Sequence, residues 1–136
     1  MKMKYKQMDS DSFESSLGTR ELDKKVVTFV IADAQVQKSM QLPFPFDGTI
    51  QRIDILIGTE STTGITKMNV IKVSNELESM INLSLIELSP NTKLMQNISL
   101  NQDNVNIDKY DILYINITEE ATIRPGNITV SIEIEI

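Results

Sequence analysis

Polar and apolar residues alternate most strictly at the end of the chain. In ITVSIEIEI (128–136), Ile128, Val130, Ile132, Ile134 and Ile136 share one face, and Thr129, Ser131, Glu133 and Glu135 share the other. A two-residue period with one wet and one buried face predicts a strand of antiparallel sheet. ILYINIT (112–118) repeats the pattern with Leu113, Ile115 and Ile117, and TIQRIDILIG (49–58) repeats it with Ile53, Ile55 and Ile57. Ile50 is out of phase with that last set. Either a bulge between Ile50 and Ile53 turns it inward, or the strand starts only at Arg52.

The remaining segments carry the pattern less cleanly. KVVTFVIA (25–32) is rich in β-branched and aromatic residues, and QVQKSMQL (35–42) sets Val36 and Met40 among polar neighbours, so both read as strands. PFPFDG (43–48) combines two prolines with an Asp-Gly pair and predicts a corner. ITKMNVIKV (65–73) has Met68 and Val70 in phase and, across the polar loop GTESTTG (58–64), predicts a hairpin with the preceding strand. SNELES (74–79) reads as a connector. MINLSLIEL (80–88) alternates Ile81, Leu83 and Leu85 and reads as a strand in preference to a short helix built on Leu83, Leu85 and Leu88. SPNTK (89–93) is a turn, LMQNISL (94–100) a short strand, NQDN (101–104) a turn and ATIRPGN (121–127) a loop. About eight short strands with no crossover helix predict an all-β fold, an antiparallel β-sandwich of the jelly-roll or immunoglobulin-like kind.

Residues 1–24 show no such period. They are polar with single hydrophobes at Tyr5, Phe13, Leu17 and Leu22, and read as an N-terminal arm, either a disordered tail or an extended segment that orders on a neighbouring subunit. The sandwich domain is then 25–136. A chain of 136 residues, 40% hydrophobic, is enough for one core and too short for two ordinary domains. The segment MKMKYKQMD lacks the apolar centre of a secretory signal, and no run approaches the roughly 18 apolar residues of a membrane span, so a soluble protein with no membrane partner is expected. The net charge of −6 argues against a nucleic-acid partner.

The chain has no Cys and no His, which excludes disulfides and thiolate metal sites and removes the commonest general base and transition-metal ligand. Catalysis would need a Ser-Lys pair or paired carboxylates. The adjacent acids Glu119 and Glu120, and Glu133 and Glu135 on a wet strand face, read as solvated charges. No catalytic residue and no cofactor is assigned, and the chain is read as a non-enzyme. NQDNVNIDKYD (101–111) offers Asn101, Asp103, Asn106, Asp108 and Asp111 as hard oxygen ligands, but it lacks the central Gly and terminal Glu of a calcium-binding EF-hand loop and reads as an Asn/Asp-rich turn. Asn-X-Ser/Thr triplets at Asn82, Asn97, Asn116 and Asn127 read as accidental, three of them lying in expected strands. A sugar-binding sandwich would display an aromatic platform; here Trp is absent, and the corner residues Phe44 and Phe46 are expected in packing ahead of recognition.

PFPFDGTIQRIDILIGT (43–59) and NITEEATIRPGNITVSIEIEI (116–136) resemble a family of small β-sandwich domains in virion proteins of tailed bacteriophages, which pair an FDGTI-type strand with a final hairpin ending in a PG..LTVSI-type strand. The resemblance spans 25–136 as a pattern. It departs at DKYD (108–111), where the family often has a Gly-Asp turn, and at KMNVIKV (67–73). It implies a noncatalytic structural protein assembled in the host cytoplasm into the virion. Capsid decoration as a symmetric homo-oligomer, a trimer among the options, is preferred over a tail or baseplate subunit. The implied partners are further copies of the chain and a major capsid or other virion protein, with Tyr5, Phe13, Leu17, Leu22, Phe44 and Phe46 as candidate contacts. The alternative is a carbohydrate-binding accessory module facing a host-surface glycan.

Overall fold

The strands predicted from strict alternation form: those at 49–58 and 128–136 pair with each other, and the one at 112–118 lies in the opposite sheet. The computed structural model describes residues 23–136, and every regular element among them is a strand: β1 (Lys24–Asp33), β2 (Gln37–Lys38), β3 (Leu42–Pro43), β4 (Gly48–Thr59), β5 (Thr66–Ser74), β6 (Leu77–Met80), β7 (Ile86–Leu88), β8 (Leu94–Met95), β9 (Asn106–Ile107), β10 (Ile112–Glu119) and β11 (Gly126–Glu135). β1 takes in Lys24, one residue more than the sequence reading gave the sandwich. One antiparallel sheet has the order β1-β11-β4-β8, with β9 also on β4; the other has the order β2-β10-β5-β6, with β3 also on β10 and β7 also on β5. Each of the pairs β2/β3, β6/β7 and β8/β9 runs along a single neighbour and is one interrupted strand. Counted that way, the sheets read 1-8-3-6 and 2-7-4-5, a jelly roll. The immunoglobulin-like alternative is set aside, because there the first strand pairs with the second, whereas here it pairs with the last.

Register follows the alternation. Ile128, Val130, Ile132 and Ile134 of β11 face inward with Ile53, Ile55 and Ile57 of β4, and Met68, Val70, Leu113, Ile115 and Ile117 meet them from the second sheet. Each fully buried Ile or Leu contributes roughly 1.5–3 kcal/mol through removal of its side chain from water. Ile50 also faces inward. Glu133 pairs with Arg52 but Ile134 pairs with Ile50, so Gln51 is the extra residue of a bulge, and the strand runs on to Gly48.

Four expectations are corrected. First, β4 and β5 are no hairpin: they belong to opposite sheets, and residues 60–65 cross between them. Gly64 makes the crossing at φ 91°, where a Cβ would stand 2.6 Å from the Thr122 nitrogen of the loop it packs on. Second, the connector 74–79 is the real hairpin, β5 turning into β6 through Asn75 and Glu76 at φ 52° and 66°. Two left-handed residues make the type I′ turn that suits strand twist, but Glu at the second position gives none of the usual Asn-Gly signal. Third, 35–42 is reduced to β2 and β3, with Val36 and Met40 exposed; and 94–100 is reduced to β8, with β9 appearing where no strand was expected. Fourth, 80–88 is neither one strand nor a helix. Ile81 is buried, but Leu83 is 61% exposed and Leu85 points to solvent; Met80 ends β6, and after it only Ile86–Leu88 is regular.

Asn82 causes that break. It is fully buried, its Oδ1 accepts the Val70 N–H at 2.8 Å, and its Nδ2 donates to Asn69 Oδ1 at 2.9 Å and Ser84 O at 2.8 Å. The side-chain amide takes the place of a backbone group beside β5, and this frees the main chain at 81–83 to bend toward the other sheet. On the outer face of the second sheet, Tyr114 is also buried. Its hydroxyl donates to Glu78 Oε2 at 2.7 Å, and Lys38 Nζ lies 5.7 Å from its ring centre. Burial first, and the Glu78 carboxylate second, push its pKa from 10.0 up to about 12.

Two outcomes follow. Asn82→Ala leaves the Val70 N–H without its acceptor and is expected to cost about 1–3 kcal/mol in urea unfolding; a loss within about 0.5 kcal/mol, the usual range for surface changes, would show that the amide does not hold this edge. Because folding raises the Tyr114 pKa, its contribution to stability is complete below pH 10.0 and is lost as pH rises through about 12. Ultraviolet titration of the phenols is expected to show one late step near pH 12, moved down by Glu78→Gln; titration of Tyr114 near its ordinary value would refute the assignment.

Candidate functional site

The two long sides of the sandwich are built differently. On one side the Leu83 N–H donates to Ser99 O at 2.9 Å and the Asn101 N–H to Ile81 O at 2.7 Å, with an antiparallel bridge between Asn82 and Leu100. The ends of both sheets are thereby stitched together. On the other side β1 faces β2 and β3, and among the described residues no strand pairs with the outer edge of β1.

The phase of that edge follows from one hydrogen bond. The Ile136 N–H donates to Asp23 O at 3.0 Å, and Asp23 continues the register in which Lys25, Val27, Phe29 and Ile31 oppose Ile134, Ile132, Val130 and Ile128. In an antiparallel pair, residues that exchange backbone bonds with one neighbour alternate with residues whose backbone faces away. The N–H and C=O groups of Lys24, Val26, Thr28 and Val30 therefore face outward from the edge. The same residues put their side chains on the outer face of the sheet, where Val26 is 63% and Val30 73% exposed.

Below this edge runs an apolar groove of about 280 Å³ lined by Lys25, Val27, Leu42, Phe44, Phe46 and Leu113. A second hollow, about 380 Å³, continues along the same side between Val30 and Met40. Phe46 is exposed at the corner, edge-to-face with Phe44 at 5.9 Å between ring centres, and Lys25 Nζ lies 5.8 Å from its ring. Phe44 itself is only 6% exposed and belongs to the core, its N–H donating to Asp111 O at 2.9 Å. Of the two corner residues proposed as contacts, Phe44 is thus a packing residue and Phe46 an accessible one. Tyr5, Phe13, Leu17 and Leu22 lie outside the described residues.

An ionic clamp closes the far end of the open side. Arg124 donates from Nε and Nη2 to the two Asp33 carboxylate oxygens at 2.7 and 2.9 Å and from Nη1 to Glu120 Oε2 at 3.3 Å, while Glu120 Oε1 accepts the Val36 N–H at 3.0 Å. The guanidinium hydrogen bonds hold the Asp33 carboxyl below its usual range. This clamp fixes the point where the chain leaves β1 and crosses to β2.

Elsewhere polar groups serve the fold. In the loop 101–111, Asn101 Oδ1 accepts the Asp103 N–H at 3.1 Å, Asn104 Nδ2 donates to Met80 O at 2.8 Å, and Asp111 Oδ2 accepts the Asp108 N–H at 2.8 Å. Among the described residues no group of three or more Asp or Glu is placed to hold a metal ion, and no helix is long and apolar enough to cross a membrane. Of the Asn-X-Ser/Thr positions, Asn82 is buried, Asn116 lies in β10, Asn127 lies in β11, and Asn97 sits at a turn with φ 54°. The residues that sequence reading missed are Val26 and Val30: their strand was legible, but its place at an edge was not. No family model matches the chain, and no curated protein matches it.

Proposed function

We propose that this chain is a noncatalytic structural protein that acts by assembling with copies of itself, as a capsid-decorating protein of a tailed phage. The observation that carries the assembly reading is the open side of the sandwich, where unpaired backbone, exposed valines and an apolar groove lie together on one edge. Apolar patches and long uncovered edges are features that monomeric proteins suppress and assembling ones use. The virion reading draws its support from the resemblance of 43–59 and 116–136 to phage sandwich domains; those residues hold all of β4 and β11, the two central strands of the first sheet, and the end of β10 in the second. A tail or baseplate subunit uses the same surface and differs only in its neighbours.

The glycan-binding alternative rests on the exposed aromatics among the described residues. These are Phe46 and Tyr110, at the corner where the Tyr110 N–H donates to Phe44 O. They are at the end of the molecule, with no aromatic platform across a sheet face, so the structural reading is favoured.

Light scattering on the full-length chain is expected to give a whole-number multiple of 15.4 kDa that persists on dilution into the micromolar range. A monomer at every concentration would overturn the assembly reading, and binding to an array of surface glycans by that monomer would replace it with the carbohydrate-binding one.

A further inference from the structure

We infer that β1 pairs with β1 of a second copy, antiparallel about a two-fold axis through Thr28, so that the sheet containing β1, β11 and β4 continues across the interface. The inference rests on the self-assembly reading and names the surface and register through which it happens.

The edges formed by β6/β7 and β8/β9 are stitched to each other through 81–83 and 99–101. The β2/β3 edge consists of two-residue strands interrupted by residues 39–41 and ends in Pro43, which offers no N–H. Among the described residues only β1 is a long and regular edge, and between Val26 and Ala32 (VVTFVIA) it holds no charge and no proline, the devices that usually guard an edge.

The choice of a second copy follows from three complementarities. The first is backbone phase: the outward groups belong to Lys24, Val26, Thr28 and Val30, and a two-fold axis at Thr28 sets Val26 opposite Val30 of the partner strand and Thr28 opposite itself. All three pairs then fall at positions where both strands direct N–H and C=O groups across the gap, giving about six interchain backbone hydrogen bonds. The second is side-chain matching. Val26 and Val30 are the exposed large hydrophobics of β1, and they stand two residues either side of Thr28. The same axis brings all four valines of the two strands together on the outer face as two direct cross-strand pairs, whereas a shift by two residues sets them against Thr28 and Lys24 in one direction or Thr28 and Ala32 in the other. The third is charge: parallel pairing would set Lys24 and Lys25 beside their own copies, whereas the antiparallel register sets them opposite Ala32 and Ile31, with Asp33, already held by Arg124, opposite Asp23 and next to Lys24.

Thr28 also supplies a test that spares the monomer. Its N–H faces the gap and not β11, so Thr28→Pro removes an intermolecular donor and adds ring bulk at the axis while leaving the β11 ladder whole. The full-length Thr28→Pro variant is expected to keep the wild-type circular dichroism spectrum and to lose the dimer, its mass falling by half or its dissociation constant rising at least tenfold. Should Thr28→Pro fail to fold, Val26→Lys, a change at an exposed side chain, takes its place with the same expectation. The register is read by disulfides, because the chain has no cysteine of its own. Oxidised Thr28→Cys is expected to cross-link as a covalent dimer. Val26→Cys alone and Val30→Cys alone are expected not to, because each would lie roughly 13 Å from its own copy, and a mixture of the two is expected to cross-link. An assembly that survives Thr28→Pro, or that gives no Thr28→Cys dimer, would overturn this interface while leaving self-assembly standing; in that case another surface, or residues 1–22 of a neighbour, makes the contact. A wild-type chain that is monomeric throughout would overturn the assembly reading and this interface with it.

Discussion

β11 is the strand on which both the sheet and the core depend. It lies between β1 and β4 over nearly its whole length, so its even-numbered residues bond β1, its odd-numbered residues bond β4, and its inward Ile128, Val130, Ile132 and Ile134 are fully buried. No side chain in that set can turn outward without a register slip, and a one-residue slip would put four isoleucine and valine side chains in water and Ser131 and Glu133 in the core. The strictness of the alternation therefore fixes the register in which the first and last strands meet. Once they do, 2 with 7, 3 with 6 and 4 with 5 follow as the ribbon winds, and the jelly roll is complete.

The bulge at Gln51 shows how the same constraint acts on the neighbouring strand. β4 must present Ile53, Ile55 and Ile57 to the core and also Ile50, three residues away and thus on the opposite face of an ideal strand. Placing one extra residue against β11 resolves the conflict and lets β4 continue to Gly48, where a Cβ would meet Ile134 Cγ2 at 2.7 Å. The phase conflict was visible in the letters, as were the strands around it, because alternation is a local property. Which sheet each strand joins is not local. Nothing between Thr59 and Thr66 distinguishes a hairpin loop from a crossing between sheets, and so β4 and β5 read as partners when they are not.

The remaining misreadings share a cause: a polar group taking a structural role that hydrophobic pattern cannot register. Asn82 sits where alternation asks for an outward residue, yet its amide completes the hydrogen bonding of β5, and the buried slot goes to it while Leu83 and Leu85 turn to solvent. Tyr114 occupies an outward position and is covered nonetheless, by Lys38 of the adjacent β2 and by Glu78 of β6, on the far side of β5. The candidate site was legible to the same degree. The corner PFPFDG was readable, but of its two aromatics the pattern could not say that Phe44 would close the core and Phe46 would remain outside. The valines of β1 were readable as strand residues, whereas their exposure depends on β1 being an edge, a fact settled by strands a hundred residues away.

The open side and the closed side are consequences of one another. A jelly roll has two long sides where its sheets come close, and in this molecule Asn82 bends 81–83 out of line so that Leu83 and Asn101 can bond across the gap on one of them. On the other side the chain crosses from β1 to β2 within a few residues, pinned by Arg124 against Asp33 and Glu120, and the strands that follow are too short and too interrupted to close over β1. Backbone groups left on a regular edge are satisfied by water in the isolated chain, so the edge costs little by itself, and a second strand gains mainly by covering the exposed valines and the groove beneath them. The energetic contrast between the two sides thus lies in apolar surface more than in hydrogen bonds. That is why a guarded edge would have needed a charge near Thr28, and why its absence there leaves β1 the unguarded edge among the described residues.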